Sequence, residues 1–204
     1  NLISPRGSRM AELENSTLDR IDARGVQFLR TGDDLLDKGL NFGGSSMRGA
    51  SFEKCIFLKS DLSGCDLSNT TFRESTFYGA NLDGAIFDGA DCVQIGVVQG
   101  SSMRGASFRG TNLTKANLRC VPLNECDFSG AELAFANLSE TDLRDATLYR
   151  INAPGAQLMK ANLENADFTA ANLKEAILQK SNIKGACFRG ANLFRADLAK
   201  VDGN

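Results

Sequence analysis

One periodicity governs most of the chain. Reading every fifth residue from Met103 gives Met103, Phe108, Leu113, Leu118 and so on to Leu198. Nineteen of these twenty positions are large and apolar, Ala153 being the exception. Two residues before each lies a second series, and it is small. Thirteen of its twenty places are Ala, five are Ser, Thr or Cys, and only Val121 and Ile151 are larger. A helix repeats about every 3.6 residues and a strand about every 2, so a strict period of five fits neither. It requires a backbone that turns the same corner every fifth residue. The large residue and the small one two before it then point into a tube, while the other three, here mostly Asn, Asp, Arg, Lys, Ser and Gly, point out. The small residue is a steric necessity, because sides meeting around a narrow, densely packed axis leave no room for a second Leu.

Stretches such as Ala116-Asn117-Leu118, Ala136-Asn137-Leu138, Ala161-Asn162-Leu163 and Ala191-Asn192-Leu193 resemble the A(D/N)LxX motif of the pentapeptide-repeat family, over roughly residues 42 to 202. The resemblance implies an all-β fold, a right-handed quadrilateral β-helix with four pentapeptides per coil. Phenylalanine spacing points to the same coil independently. Phe108, Phe128, Phe168 and Phe188 fall at multiples of 20, and the pairs Phe52/Phe72 and Phe57/Phe77 repeat that spacing. About eight regular coils at an inter-strand spacing near 4.8 Å make a rod about 40 Å long, held by stacking of each coil on the next.

The phase slips twice. Earlier centres run Phe42, Met47, Phe52 to Val97, and the step from Val97 to Met103 is six, so one extra residue enters near 96–102. Before Phe42, the residues Leu13, Leu18, Ala23 and Phe28 keep the period, then fourteen residues intervene and residues 29–40 lose the motif. Two regions are therefore expected. Residues 1–41 form an irregular N-terminal region with partial repeats and a cap or loop, and residues 42–202 form the solenoid with its one-residue shift. The chain opens on Asn1-Leu2-Ile3, which suggests a processed form or an excised piece. The motif runs on to Leu198 with no capping helix after it, so an end-to-end homodimer or a further segment is expected to protect that face.

Histidine is absent, which removes the commonest general base and metal ligand. No phosphate-cradling glycine motif and no zinc-like cysteine spacing occurs. The reading is therefore a non-catalytic chain with no cofactor and no metal. Cys55, Cys65, Cys92, Cys120, Cys126 and Cys187 form no CxxC pair and read as reduced thiols, three of them (Cys55, Cys65, Cys126) in small inward slots, which favours a reducing compartment such as cytoplasm. No run of apolar residues is long enough to span a membrane. A net charge of -2 gives no pull toward nucleic acid.

What remains is a rigid outer surface, and the expected function is a protein-binding scaffold or adaptor. Lys160, Lys180 and Lys200 stand 20 apart and should align on one edge, where they could attract an acidic partner. Phe135 and Phe194 fall at outward positions and suit protein contact. The alternative implied by the family is a DNA mimic that binds a type II topoisomerase such as gyrase. That role needs duplex-like spacing of negative charge, and the two positions after each centre carry more Lys and Arg than Asp and Glu.

Overall fold

The computed structural model describes residues 15–25, 27–28 and 39–203. Its backbone is a four-sided all-β solenoid, a right-handed quadrilateral β-helix. Parallel bridges join each residue to the one 20 further on, as in Asn41 to Asp61 to Asn81 and Asn162 to Asn182 to Asp202. Eight complete coils fill residues 40–200. We number the sides by their central residues. Face I holds Phe42, Leu62, Leu82, Met103, Leu123, Leu143, Leu163 and Ile183. Face II runs from Met47 to Phe188, face III from Phe52 to Leu193, and face IV from Phe57 to Leu198. Central residues are buried as far as Leu178, and the alanines beside them are buried with them. In the last described coil Ile183, Phe188 and Leu193 are only partly buried, since no further described coil stacks on them.

Backbone accounting explains the motif, taking residues 161–165 as the example. The Ala161 N–H donates to Leu158 O (3.1 Å) within its own corner. Asn162 donates back to Thr141 O (2.9 Å), while Leu163 and Asn165 donate forward to Asn182 O and Lys184 O (both 2.8 Å). Only the Glu164 N–H has no carbonyl, and it donates to Asn162 Oδ1 (3.3 Å). Where Asn or Asp precedes the central residue it supplies this short side-chain acceptor, which is an Asx turn. Asn and Asp interchange there because the bond uses one carbonyl-type oxygen that both possess. At Ser102 and Ser107, which replace Asx, an Asp from the preceding coil substitutes. Asp83 Oδ1 accepts from the Arg104 N–H (2.8 Å) and the Ser102 hydroxyl (2.5 Å), and Asp88 serves Arg109 and Ser107 in the same way.

Face IV lacks Asx in three consecutive coils, and the backbone there differs. Ile56, Thr76 and Gly96 occupy the Asx position there and have no oxygen able to cap the corner as Asx does. The strand instead runs on for three residues: β1 Gln27–Phe28, β2 Ile56–Leu58, β3 Thr76–Tyr78 and β4 Gly96–Val98 form one parallel sheet in that order. Leu58 pairs with Tyr78 and Tyr78 with Val98. The sequence there is apolar, aromatic or β-branched, as an extended ladder favours.

The extra residue expected near 96–102 sits at the corner after β4. Gln99 and Gly100 both take positive φ (40° and 81°), bridges across this corner span 21 residues (Asn81 to Ser102), and the Ser101 hydroxyl turns inward to Val98 O (2.8 Å). Across the other slip, Thr17 bridges Ser46 and Asp22 bridges Ser51, 29 rather than 20 residues apart. The nine additional residues enter between Phe28 and Gly39, whose N–H donates to Lys59 O (3.1 Å). Leu13 and residues 29–38, where the cap or loop was expected, lie outside the described residues.

Inside the tube the phenylalanines form columns. Phe52 stacks on Phe72 (5.1 Å between ring centroids) and Phe57 on Phe77 (4.7 Å). On face II, Phe108 stacks on Phe128 (4.8 Å) and Phe168 on Phe188 (5.0 Å). Phe87 joins this column below Phe108 (5.0 Å) because the inserted residue makes their spacing 21, which hid it from a period of 20. The thiols of Cys55, Cys65 and Cys126 fill small inward slots and donate to the carbonyls of Ala23, Phe42 and Met103, each at 2.9 Å. Desolvation pushes the Cys65 thiol up to about 11 and the Cys126 thiol up to about 12.

Candidate functional site

Away from the corners that follow β2, β3 and β4, the geometry repeats. The residue two after the centre takes a left-handed backbone, glycine or not, and the next N–H closes the turn onto the central carbonyl, as a type II turn requires. Lys160, Lys180 and Lys200 all occupy this position, with φ of 55°, 59° and 62°. They stand on successive coils at the corner leading from face IV to face I. Lys160 lies 3.8 Å from Glu140. Among the described residues, Lys180 and Lys200 make no ion pair. The three form one basic column at a spacing of about 4.8 Å.

Phe135 and Phe194 occupy the opposite corner, between faces III and IV, and are 60% and 57% exposed. Phe135 sits in the left-handed position (φ 58°) and Phe194 one residue earlier in its own pentapeptide. Their backbones are three coils apart. The Phe135 ring closes part of that gap by leaning over Gly155 of the next coil, where an added Cβ would come within 2.7 Å of Phe135 Cδ1. The Arg195 guanidinium lies over the Phe194 ring at 5.1 Å, and Lys174 pairs with Glu175 (3.7 Å) on the coil between the two rings. The two aromatics are therefore not one patch. They share an edge of face IV, and the lysines form its other edge.

Face IV itself is the surface that the sequence reading did not single out. Between its corners, over eight coils, the positions flanking the central residues carry only two charges, Arg119 and Asp197, whereas each other face carries at least five. On β2, β3 and β4 it presents Ile56 (39% exposed) and Tyr78 (38%), with Leu58 and Val98 half-buried beside them. The signal was present as IFL, TFY and GVV, the points where outward positions lose their Asx and charged residues. It went unread because apolar residues at outward positions hide among apolar residues at inward ones.

The other faces are charged and self-neutralised. Arginines one residue after a centre reach the Asp before the centre of the next coil: Arg48 to Asp66 (3.3 Å), Arg73 to Asp91 (2.6 Å) and Arg109 to Asp127 (3.4 Å). Among the described residues no column carries acids on more than two consecutive coils, the longest being Glu125 with Asp145. No cluster of metal-ligating side chains occurs among them, and none of their helices is long and apolar enough to cross a membrane.

No curated protein sequence matches the chain. Among solved structures it is similar to HetL, a pentapeptide-repeat protein involved in heterocyst differentiation regulation from the cyanobacterium Nostoc sp. strain PCC 7120. That match has 26% identity and a TM-score of 0.56, over 92% of this chain and 89% of HetL. It is also similar in fold to a trypsin-treated variant of QnrB1, a plasmid-mediated fluoroquinolone resistance protein, at 21% identity and a TM-score of 0.53, over 87% and 91% of the two chains. Two family models match the sequence, pentapeptide repeats (9 copies) over residues 52–93 and pentapeptide repeats (8 copies) over segments running from 98 to 193. With a corner at every fifth residue, four faces per coil and these matches over most of its length, the chain belongs to the pentapeptide-repeat family.

Proposed function

We propose that this protein is a non-catalytic protein-binding scaffold and that face IV is the side it presents to its partner. One observation carries the reading: Ile56, Leu58, Tyr78 and Val98 form a partly exposed apolar surface on three adjacent coils of the face that carries only two charges between its corners. Exposed apolar surface on a rigid sheet suits a protein partner. Likeness to HetL, a protein involved in regulation, is in keeping with a binding role. An alternative placement, a second copy seated on the last coil, would cover the half-buried Ile183, Phe188 and Leu193.

The test is capture with the folded rod as bait, identification of the captured protein, and titration of that purified protein against wild type and Tyr78→Glu. Saturable binding that weakens at least tenfold in the variant, with an unchanged melting temperature, is expected. Binding that ignores the substitution, or no saturable partner at all, overturns the assignment. A topoisomerase-binding DNA mimic needs an unpaired acidic column, and the arginine-paired acids of faces I to III do not supply one. Near-stoichiometric rod is accordingly expected to leave gyrase supercoiling unchanged.

A further inference from the structure

Resting on that reading, we infer that the C-terminal half of face IV is built to receive an amphipathic α-helix laid parallel to the solenoid axis, acidic along one flank and apolar along the rest of its contact side. On the three coils concerned, one edge is the column Lys160, Lys180 and Lys200, the floor is uncharged except for Asp197, which accepts from Gln179 Nε2 (2.5 Å), and the far edge carries the Phe135 ring leaning in over Gly155, the paired Lys174 and Glu175, and the exposed Phe194 ring beneath Arg195. Half-buried Met159 lies on the floor beside the lysine column, and half-buried Ile177 lies on the floor toward the far edge. The cross-section therefore runs from basic through neutral to an edge where two aromatic rings flank a self-paired Lys174 and Glu175. A helix acidic on the lysine side and apolar over the floor and the rings matches that order.

Spacing selects a helix over an extended strand. Coils repeat about every 4.8 Å, so the lysine column presents charges at roughly 0, 4.8 and 9.6 Å. Helix positions i, i+3 and i+7 lie on one face and rise by about 0, 4.5 and 10.5 Å. A strand running the same way repeats its same-side residues about every 6.8 Å and falls out of step by the third lysine. The receptor is also pre-organised. Each lysine stem leaves a left-handed corner closed by a turn bond, for Lys180 Ser181 N–H to Leu178 O (3.1 Å), and the corners of Lys160 and Lys180 are also tied to the next coil, by Lys160 N–H to Gln179 O (2.9 Å) and Lys180 N–H to Ala199 O (3.0 Å). The basic column is thus rigid at its roots and mobile only at the ammonium ends. Lys180 and Lys200, without an ion pair among the described residues, are the two that gain most from an acidic partner.

The probe is a synthetic helical peptide of about 21 residues with Glu at i, i+3 and i+7 and Leu on the adjoining strip, compared with a scrambled peptide of identical composition. Titration by fluorescence anisotropy is expected to show saturable binding of the patterned peptide at least tenfold tighter than the scrambled one. The double variant Lys180→Glu/Lys200→Glu should weaken it more than tenfold, Arg189→Glu on face II should change it less than twofold, and 300 mM salt should weaken it several-fold. Equal binding of the scrambled peptide, or full displacement by a single-stranded oligonucleotide at the same ionic strength, would reassign the column to polyanions in general and overturn the inference. So would absence of binding. If the peptide fails while Tyr78-dependent capture holds, only the helix inference falls; if both fail, the binding reading falls with it.

Discussion

At the scale of the residue, two positions of each pentapeptide do work that their identity only half declares. The corner position is left-handed whatever occupies it, and Lys, Glu, Arg, Asp and Phe all accept it here. In an L-residue this conformation costs roughly 1–2 kcal/mol, so the bonds to neighbouring coils hold it against a local preference. Glycine at a corner relieves that strain without deciding where the corner falls. Gly155 carries a second constraint, the Phe135 ring above it. Gly155→Ala is expected to lower stability by at least about 1 kcal/mol through its left-handed φ and to displace Phe135; urea unfolding and the accessibility of that ring check both. The Asx position makes the opposite kind of prediction. Asn162→Ala strands the Glu164 N–H and removes the acceptor of the Asn182 side chain (2.9 Å), so a loss of about 1 kcal/mol is expected. Asn162→Asp keeps both bonds and should stay within a few tenths of wild type.

At the scale of the coil, stability is the stacking of one four-sided layer on the next, and the inward residues set it. Leu163 is completely buried. Leu163→Asp places a carboxylate in the tube with no partner and is expected to cost several kcal/mol, melting the adjacent coils; an unchanged cooperative transition would refute its inward placement. The buried thiols give a pH signature. Because desolvation holds the folded Cys65 thiol up at about 11, above an unfolded value near 8.5, its contribution is intact below about pH 8.5 and is lost as pH rises toward 11. Stability measured in urea should fall over that window, and Cys65→Ala should reduce the fall. A thiol reagent should label exposed Cys120 in the native rod and reach Cys55, Cys65, Cys92 and Cys126 only on unfolding.

At the scale of the whole molecule, the solenoid converts sequence distance into direction. Residues 20 apart become neighbours on one face, so an isolated substitution pattern becomes a surface. Three stacked three-residue strands, Ile56–Leu58, Thr76–Tyr78 and Gly96–Val98, make one end of face IV a true sheet, and the same face stays nearly uncharged to its far end. The arginine–aspartate pairs of the other three faces are exposed and individually worth little. Their effect is on specificity, since they leave no extended field of either sign. A rod with three neutralised faces and one quiet apolar face has a single side on which a protein partner can bury surface without first breaking ion pairs.

The period of five, the large and small inward series, and the coil of 20 were all legible in the amino-acid order, because each is a local steric demand repeated at fixed spacing. The two slips were legible as changes of phase. Tertiary structure alone decided what those repeats bring together. It seated Phe87 on Phe108 across the inserted residue, carried the Phe135 ring onto Gly155, paired Arg73 with Asp91, and set the lysine column and the two phenylalanines on opposite edges of one face. Contacts between regular coils join residues 18 to 24 positions apart, and inserted residues shift which of those positions meet, so their partners depend on closure of the coil rather than on any neighbour in sequence.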